Sequence, residues 1–428
     1  MTFAIDAIVQ LGHNLGQCLR QKSYKRPIGN PTEIPYAQRS ASATSGLHSS
    51  TRPWEDYKAT AYIMNMLNLR QLVCSVSLAL AVSCASTSNV QVEAGPRLMA
   101  EWEPAQGTMI VYPFDLPDAL ITDLGHEAGL FVLVQKENMQ QANDKLHSIG
   151  LELGHYQLIL TEASSPWTRD WGPHQVESFE GQRVLVDHIF RGYPWVPADC
   201  DTLDINYQWG DMVGEDNAVN DIANALDLLT TQLPAIATGG NLLTDGHGRA
   251  FCTEAQIVEN QAQAETGDPN HIDEARYREL LREHLGITDL VVLENTEPQG
   301  IQHIDCWMKV VDAETLLVKQ APVGHPEHDP IERNIEILRS LVTPTGGSYR
   351  ILRIDCSPYR DDLLPAYTNS LRLNEVVHVP LFGGEADGQA LETYRQAFPT
   401  CEVKGYLHTT WKHFDALHCR ARALHTAL

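Results

Sequence analysis

Gly107-Thr-Met-Ile-Val-Tyr112 and Leu130-Phe-Val-Leu-Val134, followed from Asn138 to Gly150 by apolar residues at helical spacing, carry the clearest structural signal in the chain. The two short runs are rich in Val, Ile and Leu, as strands covered on both faces must be. The third segment has the period of an amphipathic helix. Further along, Val184 to Phe190, Leu290 to Leu293 and Leu316 to Val318 read as strands, and Glu215 to Leu229, Ile272 to Leu285 and Pro330 to Leu341 as helices. This alternation predicts an α/β fold. No low-complexity linker or Pro-rich hinge follows residue 95, so residues 85–428 read as one domain.

The 428 residues hold 31 Lys+Arg against 55 Asp+Glu, a formal charge of -24, with 43% hydrophobic and 20% charged residues. Such proportions disfavour disorder, collagen-like repeats and a polytopic membrane protein. The acidity repels nucleic acid and anionic lipid and attracts cations, so no nucleic-acid partner is expected and a cationic small molecule or peptide is. Residues 1–84 carry eight basic and four acidic side chains, a surplus of +4 that leaves -28 for the remainder. Within this leader Met64 to Arg70 precedes the apolar run Leu72 to Val82 and then Ser83-Cys84-Ala85. That is the layout of a secretory signal peptide, too short for the ~20 residues that span a bilayer. Ala81-Val82-Ser83-Cys84 also resembles a bacterial lipobox, which makes a lipid anchor on Cys84 the one membrane contact expected. The expectation is therefore a non-native or disordered segment 1–63, translation from Met64 or Met66, and a signal peptide 64–84. The domain 85–428 is then expected to be secreted, or periplasmic or outer-membrane-anchored, in a bacterium. Six of nine cysteines follow the leader (Cys200, Cys252, Cys306, Cys356, Cys401, Cys419) with no CxxC, which argues against structural zinc and against a disulfide scaffold.

Five polar clusters stand out: Trp167-Thr-Arg-Asp170, Gly239-Gly-Asn241, His303-Ile-Asp305, Tyr367-Thr-Asn369 and His418-Cys419. Counted from Asp170, the steps to Gly239, His303, Asn369 and Cys419 are 69, 64, 66 and 50 residues. Near-regular placement fits repeated modules that each lend a loop to a common centre, as in propellers, and it also fits the strand-end loops of an ordinary α/β sheet. His303 and Asp305, two apart, share a face if the segment is extended, where the carboxylate can hold the imidazole charged; a surface His and Asp is the plainer alternative. Trp167 and Trp171 bracket an Arg-Asp pair ahead of Gly172-Pro173, which ends any helix there. A carboxylate between aromatic rings suits an organic cation, through a matched hydrogen-bond fork and a cation–π attraction of roughly 0.5–2 kcal/mol. Alternatively, Arg169 and Asp170 satisfy each other. Gly239 to Gly248 lacks GK[ST] and GxGxxG, so nucleotide binding is unsupported, and Asp245-Gly246 reads as a hairpin turn. Cys419 alone would be taken for inert core, but with a His-x-Asp pair, an Asn and a cation-shaped Asp it completes the parts of thiolate catalysis. No HExxH or similar ligand set exists, so no metal is expected.

WTRDWGP, GGNLLTDGHGRAFCTE, QHIDCWMK, YTNSLRLN and DALHCR, in that order from Met99 to Arg420, resemble the agmatine deiminase and bacterial peptidylarginine deiminase family of guanidine-modifying enzymes. The resemblance implies a five-bladed pseudosymmetric α/β propeller of ββαβ modules, without cofactor or metal. It also implies hydrolysis of a guanidinium (peptidyl-arginine, arginine or agmatine) to a ureido group and ammonia. Residue by residue it implies Cys419 as nucleophile, His303 as acid and base, and Asp170 and Asp305 as the carboxylates that grip the cation. Trp167, Asn369 and Asn241 would line the substrate site, and Arg191 would be the one counterpart of the arginines that hold a peptide's terminal carboxylate. A cationic His303 is expected to keep Cys419 as thiolate. Departures are Trp411 to Asp415 in place of a glycine-rich stretch, Gly300-Ile301 where an aromatic is expected, and little pattern from Arg420 to Leu428. A non-catalytic binding lipoprotein on the same fold is the alternative of another class.

Overall fold

A computed structural model describes residues 95–193, 212–262, 272–298 and 300–426. The expected signal peptide, its Cys84 and Cys200 lie outside the described residues. Strands β1 (Arg97–Leu98), β2 (Ala105–Val111), β3 (Leu130–Val134) and β4 (Tyr156–Leu160) come first, then β5 (His174–Glu177), β6 (Arg183–Ile189) and β7 (Leu229–Ile236). Next are β8 (Leu243–Thr244), β9 (Arg249–Thr253), β10 (Asp289–Leu293), β11 (Met308–Asp312), β12 (Thr315–Gln320) and β13 (Arg350–Asp355). Last come β14 (Leu371–Leu373), β15 (Val376–Leu381), β16 (Glu402–Leu407) and β17 (Arg422–His425).

Among the described residues these strands make five separate sheets, ordered β1-β5-β6-β7, β10-β9-β8, β11-β12-β13, β14-β15-β16 and β17-β2-β3-β4. One pattern recurs. The pairs β5·β6, β8·β9, β11·β12 and β14·β15 are antiparallel, and β7, β10, β13 and β16 then add in parallel to the second strand of each pair. A parallel neighbour needs a long crossover, usually helical, and helices Val213–Leu226, Glu274–Leu285, His328–Ser340 and Asp387–Ala397 lie in these crossovers. In the remaining sheet β17 is the antiparallel partner of β2, with β3 and β4 added in parallel. The result is a mixed α/β fold.

The helices form where the apolar period placed them. His328–Ser340 buries Ile331, Ile335 and Leu338 on one stripe. Glu274–Leu285 buries Tyr277, Leu280, Leu281 and Leu285; the Asp273 carboxylate caps it by accepting from the Arg276 N–H at 2.8 Å, and Gly286 ends it at φ 69°. The expected helix Glu215 to Leu229 runs too far. The helix stops at Leu226, Asp227 turns left-handed at φ 52°, and Leu229 opens β7. A leucine run gives no boundary, because it suits a buried strand as well as a helix.

All five polar clusters occupy one structural position. Trp167 to Asp170 follows β4, Gly239 to Asn241 follows β7, His303 to Asp305 follows β10, Tyr367 to Asn369 follows β13, and His418-Cys419 follows β16. Each is the connection that leaves the last strand of one sheet, and this shared position accounts for the near-regular spacing. The final stretch, expected to be patternless, is corrected: Arg422–His425 is a fully buried strand against β2. Two aliphatic residues in four give too little hydrophobic period to announce it. Leu424 belongs to the same buried cluster as Met109, Trp171 and Cys419. Truncating it (Leu424→Ala) is expected to cost about 2–5 kcal/mol of stability, read as a lower denaturation midpoint; an unchanged midpoint contradicts the packing.

Candidate active site

Thr168–Trp171 forms one helical turn, ended at Gly172 as the Gly-Pro pair requires. The Arg169 N–H donates to the Cys419 carbonyl at 3.1 Å, and its guanidinium donates to the carbonyls of His418 at 3.3 Å and Ala421 at 3.2 Å. Arg169 and Asp170 therefore do not satisfy each other; the arginine stitches this turn to the Cys419 loop. Asp170 is fully buried, and its Oδ2 accepts from the Tyr193 hydroxyl at 2.5 Å and its Oδ1 from the Gly240 N–H at 2.9 Å. Trp167 is buried with its ring edge-on to Tyr193, centroids 5.7 Å apart.

His303 caps a 3₁₀ turn, Ile304–Cys306, so the expected strand at His303 and Asp305 is corrected. Gly300 and the turn leave no room for a period-two ladder, yet both side chains still reach one place. His303 Nδ1 lies 3.4 Å from Asp170 Oδ1, and neither ring nitrogen has a hydrogen-bond partner among the described residues. Gly240 marks the meeting point. A Cβ there would lie 2.6 Å from Asp170 Oδ1, 2.9 Å from His303 Nδ1 and 3.0 Å from Asp305 Oδ2. Two carboxylates and an imidazole thus converge on a spot kept open by the absence of one side chain.

Asp305 is held by His418, whose Nδ1 is 2.7 Å from Oδ2 and whose Nε2 is 2.9 Å from Glu101 Oε2; Glu101 in turn takes the Lys309 ammonium at 2.6 Å. Burial alone would raise the Asp305 carboxyl, but the hydrogen bond and charge of His418, with His303 and Arg169, hold it below the usual range. Asp170 goes the other way: burial, and then Asp305, raise it against the pull of His303, Tyr193 and Gly240.

The Cys419 sulfur is buried, 3.1 Å from Asn369 Nδ2 and 3.9 Å from Asp305 Oδ2. Asn369 Oδ1 also accepts from the N–H groups of Ala416 and Cys419, both at 3.2 Å. Its amide braces the loop that carries Cys419. Asn241 is tied in similarly: its oxygen accepts from the N–H groups of Thr253 at 3.1 Å and Ile304 at 3.2 Å, and its Nδ2 donates to the Thr253 hydroxyl at 2.9 Å. It fixes the His303 turn from behind. Arg191 is exposed, and its charge is felt by Asp216 and Glu259. The described cysteines are all free.

The surroundings of Cys419 disfavour the expected resting thiolate. Burial, joined by Asp305, Asp415 and Asp170, pushes the Cys419 thiol up to about 12, against a hydrogen bond from Cys306. His303 Nδ1 lies 3.4 Å from Asp170 Oδ1. Without a bound cation these surroundings favour the neutral thiol of Cys419. Inactivation of the free protein by iodoacetamide should therefore quicken about tenfold per pH unit between about pH 6 and about pH 9. A plateau in that range would mean a preformed thiolate. Tyr193, Glu101 and Lys309 were not singled out by sequence, and His418 was noted only as the neighbour of Cys419. Lys309, alone in the apolar strand Met308-Lys-Val-Val311, was the one available signal.

The family model of the Porphyromonas-type peptidyl-arginine deiminases matches residues 97–422. A Selenomonas ruminantium protein provisionally named agmatine deiminase is 24% identical over 348 residues, 71% of this chain and 88% of its own. One of that name from Vibrio parahaemolyticus is 25% identical over 298 residues, 64% of this chain and 77% of its own. The solved agmatine deiminase of Enterococcus faecalis superposes with a TM-score of 0.64 at 16% identity, over 78% of this chain and 97% of its own. That of C. jejuni, a Cys-to-Ser variant with substrate bound, gives 0.63 at 14% identity over 78% and 97%. At these identities the structures attest the shared fold.

Proposed function

Because the chain belongs to the Porphyromonas-type peptidyl-arginine deiminase family, we propose that it hydrolyses the guanidinium of arginine side chains in peptides, giving citrulline and ammonia. The observation that carries this is the cradle at Gly240, where Asp170, Asp305 and His303 converge beside the Cys419 sulfur. We also read the five sheets as five blades around this cradle, a reading supported by the recurring ββαβ order and by the common origin of the loops. Residues 64–84 we read as a signal peptide, to be tested by N-terminal mapping of the mature chain.

The chemistry follows from charge. A guanidinium placed against Gly240 has one carboxylate on either side, Asp170 fixed by Tyr193 and the Gly240 N–H, Asp305 fixed by His418. Its positive charge supplies what the resting site lacks and lowers the thiol's pKa. The thiol proton passes to His303 as sulfur bonds the guanidinium carbon. The imidazolium then protonates the leaving nitrogen, the C–N bond breaks and ammonia departs. Water, deprotonated by His303, attacks the S-alkylthiouronium carbon; the C–S bond breaks, sulfur recovers its proton and the ureido product leaves.

One observation favours agmatine, the substrate of a putrescine-forming route, as a second reading. Glu259 is buried with both carboxyl oxygens unbonded among the described residues, raised by burial and sensing the charges of Arg191 and Asp170. An ammonium-tailed substrate would give its oxygens a hydrogen-bond donor. Benzoyl-arginine amide, free arginine and agmatine, assayed side by side for ammonia and ureido product, separate these readings. The first expects the blocked arginine to have the highest kcat/KM, the second agmatine. Ammonia from none of them overturns both.

A further inference from the structure

Cys306 has no part in the reaction above, yet its sulfur lies beside the nucleophile. One ligand atom from each of Asp305, Cys306 and Cys419 falls within 4.8 Å of the other two, and all three residues are buried. Cys306 Sγ is 3.5 Å from Asp305 Oδ1, and Cys419 Sγ is 3.9 Å from Asp305 Oδ2. A tetrahedral zinc, with bonds of ~2.3 Å to sulfur and ~2.0–2.2 Å to oxygen, sets its ligands ~3.5–3.8 Å apart. Each sulfur stands near that spacing from one oxygen of Asp305, and the trio closes within 4.8 Å. Asp305 is also oriented from outside the trio, by His418 at 2.7 Å, itself held by Glu101 at 2.9 Å. Such outer partners fix a ligating carboxylate as they fix a ligating histidine. Two sulfurs select zinc, cadmium or copper(I) over magnesium or calcium.

We propose that Asp305, Cys306 and Cys419 form an inhibitory site for a thiophilic metal cation, with Zn²⁺ as its ligand of choice. Binding exchanges two S–H bonds for two S–Zn bonds, releases two protons to solvent and takes one electron pair from the Asp305 carboxylate, so affinity rises with pH. The ion occupies the nucleophile and one of the two carboxylates meant for the guanidinium, and it therefore competes with substrate. The inhibitory consequence rests on the deiminase reading; the binding does not.

Two measurements keep these apart. Inhibition of wild-type protein by Zn²⁺ is expected to be competitive with benzoyl-arginine amide. Cys306→Ala weakens inhibition by more than ~100-fold, measured against the variant's own metal-free rate, since even an outer partner of a ligand is worth ~10–100-fold. Titration with Co²⁺, read as the thiolate-to-cobalt charge-transfer band, needs no turnover. The band should be present in wild type and lose intensity in Cys306→Ala and in the volume-conserving Cys306→Ser. A wild-type band in both variants, or a zinc inhibition constant indifferent to Cys306, overturns the site. A Cys306-dependent band in a protein that deiminates nothing would keep the site and remove only its inhibitory role.

Discussion

Cys419→Ser is expected to lower kcat by roughly 10⁴-fold or more, in the range seen when the nucleophile is removed from a catalytic group that acts as a unit, while benzoyl-arginine amide still binds. The serine keeps the hydrogen bonds that Asn369 gives this loop, at 3.2 Å to the Ala416 and Cys419 N–H groups, because these are made through the backbone. Both carboxylates of the cradle are untouched as well. What is lost is a nucleophile acidic enough to be ionised by the arriving cation: a thiol pushed up to about 12 can be brought down by a neighbouring guanidinium, whereas a hydroxyl in the same field stays protonated. Ammonia release under saturating substrate, paired with equilibrium dialysis of the unreacted amide, checks both halves. Release at the wild-type rate refutes the assignment of Cys419.

Gly240→Ala carries the second-largest expected effect, a fall in kcat/KM of at least ~10²-fold, the scale associated with misplacing reacting groups by about 1 Å. The added methyl would sit 2.6 Å from Asp170 Oδ1 and 2.9 Å from His303 Nδ1, closer than real Cβ contacts come. The Gly239–Asn241 turn must then withdraw and weaken the 2.9 Å bond from the Gly240 N–H to Asp170. The methyl also occupies the place assigned to the cation. Overpacking of this kind costs about 1–3 kcal/mol of stability, so a folded variant with almost no turnover is the expected phenotype. An alanine variant with wild-type kcat/KM would show that the substrate sits elsewhere.

The architecture was legible because it rests on local signals. Val-rich strands, helical periods and turn residues such as Asp245-Gly246 are written within a dozen residues of one another, and the repeat showed itself as spacing between polar clusters. The site was only half legible. Asp170, His303, Asp305 and Cys419 announced themselves by residue type, but what each touches is set across the chain. His418 and Glu101 meet across 317 positions, Arg169 and His418 across 249. No local pattern distinguishes an asparagine that faces a ligand from one that braces backbone, and so the backbone bonds of Asn241 and Asn369 could not be read from their motifs. The surroundings of Cys419 were hidden for a related reason. Proximity in a motif names the imidazole, whereas the folded site surrounds the sulfur with three carboxylates and low-dielectric packing.

The most direct test of the central claim uses 2-chloroacetamidine, whose amidinium takes the place of the guanidinium and whose carbon–chlorine bond lies open to an adjacent sulfur. Peptide mapping after brief exposure should find a single adduct, on Cys419, formed faster than with iodoacetamide, suppressed by substrate and lost in Asp170→Asn. An adduct on Cys306 or Cys401 instead, or labelling of Cys419 that ignores both substrate and Asp170, would contradict a thiol activated by a cation held between two carboxylates.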